Sequence, residues 1–173
     1  MNIFLFGYRG SGKSTIGRLL CEQLRKTFAD TDELICRRFD DLTIADIWQT
    51  HGEPAFRAAE VEITVQLCKV DEQVVSLGGG TLMQPEARRA VEAAEAVRVY
   101  LKCDPQELHR RIAADPRTAA DRPSLSSLGG GIEEIRRTLA QREPVYEQVA
   151  DQVFDVTHLS PQDAVRHLID RCL

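Results

Sequence analysis

The sequence predicts an α/β fold, with a parallel sheet covered on both faces by helices, and three observations lead there. Short apolar runs rich in β-branched and aromatic residues alternate with segments of 3.6-residue periodicity. Each run is bounded by glycine or polar residues, as buried strands are. Prolines fall where helices would begin, at Pro54, Pro85, Pro105 and Pro161, the last behind Ser160 as a candidate N-cap.

Taken in order, the strand candidates are "NIFLF" (2–6), "QVVSL" (73–77), "VRVYL" (97–101) and "QVFDV" (152–156). A fifth strand is a candidate near 28–30, where "TFAD" is too short to assign by itself. Helical periodicity marks 13–25, 55–69, 85–94, 105–113, 132–149 and 161–172. There are no internal repeats and no Ser/Pro linker. One long irregular stretch remains, "ADPRTAADRPSLSSLGGG" (114–131), and loops of that length in a compact domain are usually lids or disordered.

Composition narrows the function. A chain of 173 residues, 43% of them hydrophobic, fits a single domain. Lys and Arg total 22 against 27 Asp and Glu, and the net charge of −5 argues against nucleic acid or an anionic membrane as partner. No apolar run approaches the ~20 residues that span a bilayer, and the first residues lack a basic, cleavable leader, so the cytoplasm is the expected compartment. The five cysteines (Cys21, Cys36, Cys68, Cys103, Cys172) form no Cys-x-x-Cys pair and the four histidines do not cluster. Reduced, mostly buried thiols are therefore expected, with neither a disulfide framework nor a zinc site.

Chemistry begins at "GYRGSGKST". Gly7-x-x-x-x-Gly12-Lys13-Ser14 has the P-loop spacing, after an expected strand and at the start of an expected helix. Here Gly10, Ser11, Gly12, Lys13, Ser14 and Thr15 form a candidate nucleotide site. Backbone N–H groups curl around phosphate oxygens, Lys13 reaches the terminal phosphates, and the Ser14 hydroxyl is a candidate magnesium ligand. Thr15 stands where a dinucleotide fingerprint needs its third glycine, which disfavours nicotinamide and flavin cofactors. Asn2 is the only asparagine, so an Asn-Lys-x-Asp guanine reader and a protein-kinase catalytic loop are both absent.

Three further stretches suggest an acceptor. In "FADTDELI", Asp30 and Asp32 would point to one side if both lay on a strand, a placement that calls for a cation or hydroxyls. The other reading is an acidic pair at the start of a helix. In "HGEPAFRAAEVEI", Arg57 and Glu60 share a helical face at i, i+3, either as a substrate clamp with its orienting carboxylate or as an exposed ion pair. In "VVSLGGGT", Gly78, Gly79 and Gly80 directly follow a strand, which is better explained by close backbone approach to a ligand than by packing. Ser76, within that strand, is in reach of the magnesium shell.

Together with "DRPSL" and "REPVYEQVA", these motifs resemble, in order and spacing over essentially the whole chain, the shikimate kinases of bacteria. The resemblance implies a three-layer α/β/α P-loop kinase fold with a five-stranded parallel sheet. The core would span about 1–31, 61–112 and 132–173, a small substrate-binding subdomain about 32–60, and a mobile lid about 113–131. It implies transfer of the ATP γ-phosphoryl group to the 3-hydroxyl of shikimate, with Mg2+; a monomer is the expected working unit. It further implies that Lys13 and Ser14 hold phosphate and metal, that Asp30 is the metal-side aspartate, and that Asp32 binds shikimate hydroxyls and acts as base. Arg57 and Arg142 would hold the acid carboxylate, Gly78 to Gly80 would donate N–H groups to the same molecule, and Arg122 would close over the phosphates. Arg117 is the candidate for stacking on adenine, with "THLSP" (157–161) bordering the base. Cys36 replaces an acidic residue frequent at that place in the family, and the lid is richer in glycine. Two alternatives stay open: another P-loop small-molecule kinase, such as a gluconate or nucleotide kinase, and a non-catalytic ATP-binding homologue.

Overall fold

The computed structural model describes residues 1–115 and 131–172. Five strands form one parallel sheet: β1 (Asn2–Phe6), β2 (Thr27–Asp30), β3 (Gln73–Ser76), β4 (Ala96–Lys102) and β5 (Gln152–Asp155), in the order β2-β3-β1-β4-β5. The helices among the described residues are α1 (Lys13–Leu24), α2 (Thr31–Arg38), α3 (Ile44–His51), α4 (Glu53–Leu67), α5 (Pro85–Ala93), α6 (Pro105–Ala114), α7 (Ile132–Val149) and α8 (Pro161–Cys172). A 3-10 turn, Thr81–Met83, follows the triple glycine. The fifth strand is real, and it extends one residue further back than "28–30" suggested.

β1 shows how the sequence builds the three layers. All five of its residues are buried, and alternate side chains enter opposite cores. Ile3 and Leu5 pack with Leu20 of α1, Leu108 of α6 and Val165 of α8. Phe4 and Phe6 pack on the other face with Val91 of α5 and Tyr146 of α7. A third cluster joins Ile35, Ile47, Phe56 and Ile63, so that α2, α3 and α4 share their own small core beside the sheet. None of the helices among the described residues is long and apolar enough to cross a membrane.

Two helices, α2 and α3, fall in a stretch where periodicity gave none. Each has only eight residues, too few for two full amphipathic repeats to stand out. The local signals are caps: Asp30 accepts from the N–H groups of Asp32 and Glu33, and Thr43 Oγ1 accepts from Asp46 N at 3.1 Å. Thr43-x-x-Asp46 was therefore a readable helix start. α4 also begins earlier than 55, because Pro54 lies in its first turn. Cys21 and Cys103 are buried thiols, whereas Cys36 and Cys68 are half-buried.

The strand order places the site. The chain leaves β1 for one edge of the sheet and later returns to β4 on its other side, so the connections diverge at the carboxyl end of β1. Ligands of open parallel sheets bind in that crevice. The loop after β1, the end of β2 and the loop after β3 all open there.

Candidate active site

The donor half rests on one loop. Gly7 has φ +146°, and a Cβ there would lie 2.6 Å from the Leu101 carbonyl, so only glycine turns the chain at this point. Lys13 opens α1, is buried, and donates from Nζ to the carbonyls of Gly7 and Tyr8 at 3.0 Å each. The lysine is thus held across the loop, beside the N–H groups at the helix start. Ser14 Oγ donates to Asp30 Oδ2 at 2.6 Å, which ties the loop to the end of β2. A broad groove runs over Gly10 to Thr15, with Ser76 and Asp30 at its inner end. Its outer walls are Arg110 and Arg111 of α6 and residues 156–162, which include "THLSP". Arg111 fastens those walls together, donating to the carbonyls of Val156 at 2.9 Å and Thr157 at 3.2 Å.

The acceptor half is assembled from separated segments. A smaller cleft is lined by Arg57 and the aromatic rings of Trp48 and Phe56 on one side, and by Gly79, Gly80 and Arg142 on the other. Arg57 Nη1 donates to Glu60 Oε2 at 2.7 Å and its Nε to Glu53 Oε1 at 3.3 Å, while its guanidinium lies 5.7 Å from the Trp48 ring and 5.3 Å from Phe56. Burial pulls the Arg57 pKa down, but Glu60 and then Glu53 more than offset it, so it stands above the ordinary arginine value. Glu60 is 1% exposed, which excludes the exposed ion pair weighed from the sequence. Burial pushes the Glu60 carboxyl above its usual range, although Arg57 and Thr81 pull it down. Both partners donate to it, the Thr81 hydroxyl at 2.7 Å, so the ionised form is the one these contacts suit.

The glycine loop fits closely between these groups. A Cβ on Gly80 would lie 2.6 Å from Arg57 Nη1, and one on Gly79 3.2 Å from Arg142 Nη1. Gly78 differs from its neighbours. Its N–H donates to Thr31 Oγ1 at 2.8 Å, so Gly78 braces the loop against α2 while Gly79 and Gly80 line the cleft.

The two aspartates do not follow the strand reading. β2 ends at Asp30, and Asp32 lies in the first turn of α2, so they do not share a strand face. They are the helix-start acidic pair, yet both face the crevice, because α2 begins at the carboxyl edge of the sheet. Asp30 caps α2 through Oδ1 and receives Ser14 through Oδ2. Asp32 lines both the groove and the cleft, as does Arg9. Arg117 and Arg122 lie outside the described residues, as does most of the proposed lid.

Against this geometry, a family model described as shikimate kinase matches residues 9–173. The chain belongs to the shikimate kinase family. A shikimate kinase 2 of Sodalis glossinidius is 38% identical over 170 residues, covering 98% of this chain and 94% of its own. A shikimate kinase of Symbiobacterium thermophilum is 35% identical over 171 residues, 99% of this chain and 95% of the other. Among solved structures, a shikimate kinase from Acinetobacter baumannii in complex with shikimate superposes with a TM-score of 0.89 at 29% identity, covering 98% of this chain and 90% of that one. The family assignment favours the shikimate reading over the gluconate, nucleotide and non-catalytic alternatives.

Among the residues that line or brace the two cavities, the sequence reading missed Arg9, Thr31, Trp48, Phe56, Arg110 and Arg111. Trp48 had a signal, being the single tryptophan of the chain. Thr31 and Arg111 had none, since each acts through a partner 45 or more residues away.

Proposed function

We propose that this chain transfers the γ-phosphoryl group of ATP to the 3-hydroxyl of shikimate. The observation that carries the reading is that Asp32 lines both the nucleotide groove and a neighbouring cleft that holds Arg57 and Arg142. Shikimate is an anionic triol, and the cleft offers what such a molecule needs. Arg57 and Arg142 receive its carboxylate, the backbone of Gly79 and Gly80 and the carboxylate of Asp32 receive hydroxyls, and Trp48 and Phe56 cover its ring. Gly78 supports this set from behind rather than donating to the acid.

In-line phosphoryl transfer asks mainly for positioning and charge stabilisation. Lys13 exchanges its two loop carbonyls for phosphate oxygens, and the N–H groups of Gly10 to Thr15 hold the rest of the polyphosphate. Asp32 orients the acceptor hydroxyl and takes its proton as the oxygen–phosphorus bond forms, while the bond from the γ-phosphorus to the bridging oxygen breaks and ADP leaves. Ser14 and Asp30, already 2.6 Å apart, are the oxygen donors suited to Mg2+, with Ser76 beside them. When bound, Mg2+ neutralises charge building on the phosphates. Arg122 completes the cationic shell from the lid, Arg117 stacks on adenine, and closure keeps water from replacing the acceptor. The domain reading joins this scheme: about 32–60 contributes Asp32, Trp48, Phe56 and Arg57 to the acid site, about 113–131 closes, and the remainder holds the nucleotide and supplies Gly79, Gly80 and Arg142. Both halves of the site come from one chain, which supports a monomer as the working unit.

A coupled ADP-release assay with shikimate, gluconate and nucleoside monophosphates side by side tests the reading. ADP release that depends on shikimate, with gluconate and the monophosphates at background, is expected. Release driven equally by gluconate, or by ATP alone, overturns it.

A further inference from the structure

We infer that Tyr146 is a positioning residue for acceptor binding: by donating its hydroxyl to the Gly79 carbonyl, it aims the Gly80 N–H into the acceptor cleft. The inference rests on the function proposed above and extends it to a residue that contacts no substrate.

Tyr146 is fully buried, and its hydroxyl donates to the Gly79 carbonyl across 67 positions of sequence. Leaving such a hydroxyl unpaired would cost ~1–3 kcal/mol, so the bond is held firmly. The ring is fixed as well, with centroids 5.1 Å from Tyr100 and 6.0 Å from Phe6. Burial pushes the Tyr146 hydroxyl up to about 12, which keeps it a protonated donor throughout the working range.

The consequence follows from peptide geometry. No peptide bond among the described residues is cis. In a trans peptide the carbonyl and the following N–H point in opposite directions. Drawing the Gly79 carbonyl down toward the aromatic core therefore turns the Gly80 N–H up, to the side where Gly79 and Gly80 line the cleft. Two adjacent glycines offer little resistance to rotation of the peptide between them, so an outside anchor decides which way it faces. α7 supplies that anchor together with a cation. Arg142 precedes Tyr146 by four residues, one helical turn, and its Nη1 lies against Gly79 from the same helix. The motif "REPVYEQVA" thus carries two linked tasks, with Arg142 facing the acid and Tyr146 setting the donor beside it.

A tyrosine that only fills the core would behave like Tyr100. Tyr100 shares the aromatic cluster, but its hydroxyl donates to Glu143 Oε1 at 3.1 Å and not to the glycine loop. The experiment compares full-length wild type, Tyr146→Phe and Tyr100→Phe. It measures KM for shikimate and for ATP by ADP release, shikimate affinity by Trp48 emission, and the Gly80 amide resonance by NMR of labelled protein. Tyr146→Phe should raise shikimate KM and Kd about tenfold, the loss of ~1.4 kcal/mol, with ATP KM within about twofold of wild type. The Gly80 resonance should move in Tyr146→Phe and stay in place in Tyr100→Phe. In the unsubstituted protein, added shikimate should slow exchange of the Gly80 amide, a readout that survives a failure of the variant to fold. Equal shikimate KM in all three proteins, an unmoved Gly80 resonance, or unchanged Gly80 exchange overturns the inference. If wild type turns over no shikimate, the proposed function fails, and the Gly80 resonance of the variants still decides whether Tyr146 sets the loop.

Discussion

In the nucleotide groove six consecutive residues, Gly10 to Thr15, form the floor, whereas the acceptor cleft draws on α2, α3, α4, the loop after β3, and α7. That floor is a local structure, although the walls of the groove come from α6 and residues 156–162. Its shape follows from glycine backbone angles and the start of α1, and Lys13 is held by carbonyls only five and six positions away. The second exists only when distant parts of the chain meet, and its groups are braced by relays: Thr31 to Gly78, Glu60 to Arg57 and Thr81, Tyr146 to Gly79. A local site is read from spacing and is disturbed chiefly by changes within it. An assembled site is read from contacts and can be disturbed from behind.

Asp32 belongs to both halves, so its loss should have the largest effect. Asp32→Asn should lower kcat by about three orders of magnitude, the middle of the range for a general base, while ATP affinity changes little. Turnover and nucleotide binding, measured on the same preparation, check this, and near-normal kcat would remove the assigned role. The next test separates the halves. Arg57→Ala removes a charged fork and should raise shikimate KM about a hundredfold, ~2.7 kcal/mol, leaving ATP KM nearly fixed. Arg111→Ala should do the reverse on a smaller scale, raising ATP KM about threefold by loosening residues 156–157 from α6. If either variant moved both constants equally, the two halves would not be separable.

The smallest expected effect is one of pH. Arg57 is held by ionised Glu60, so the grip is complete above the Glu60 pKa and weakens as pH falls through it. Because burial raises that pKa above the ordinary glutamate value, shikimate KM should climb on acidification before an exposed glutamate would titrate. Glu60→Gln should flatten this acidic limb while raising KM a fewfold near neutrality. Stability has the opposite sign for this group. A carboxyl whose folded pKa is raised adds stability below its unfolded pKa and loses it as pH rises through the folded one. Thermal midpoints of wild type and Glu60→Gln across pH would separate the two effects.

Particular residues show where legibility ended. Lys13 and Ser14 were readable because the P-loop is set by glycines at fixed offsets. Arg57 and Glu60 were readable as a pair but not as buried, because i, i+3 spacing is the same on an exposed face as on one covered by Trp48 and Thr81. Asp30 and Asp32 were identified together for a geometry they do not have. A strand of four residues passes directly into a helix, and no periodicity marks so short a change. Gly78 was grouped with Gly79 and Gly80 because a run of identical residues carries no sign of which N–H is already committed.

By itself the sequence determined the α/β layering, the phosphate loop and the inventory of charged groups, since these depend on residue types at short, regular spacing. Only the tertiary structure decided that Asp32 lies between two cavities, that Glu60 is buried against Arg57, and that a tyrosine of α7 holds the glycine loop. Those facts depend on which segments the strand order β2-β3-β1-β4-β5 brings to one edge of the sheet, and side chains that meet only there leave no periodic trace in the chain.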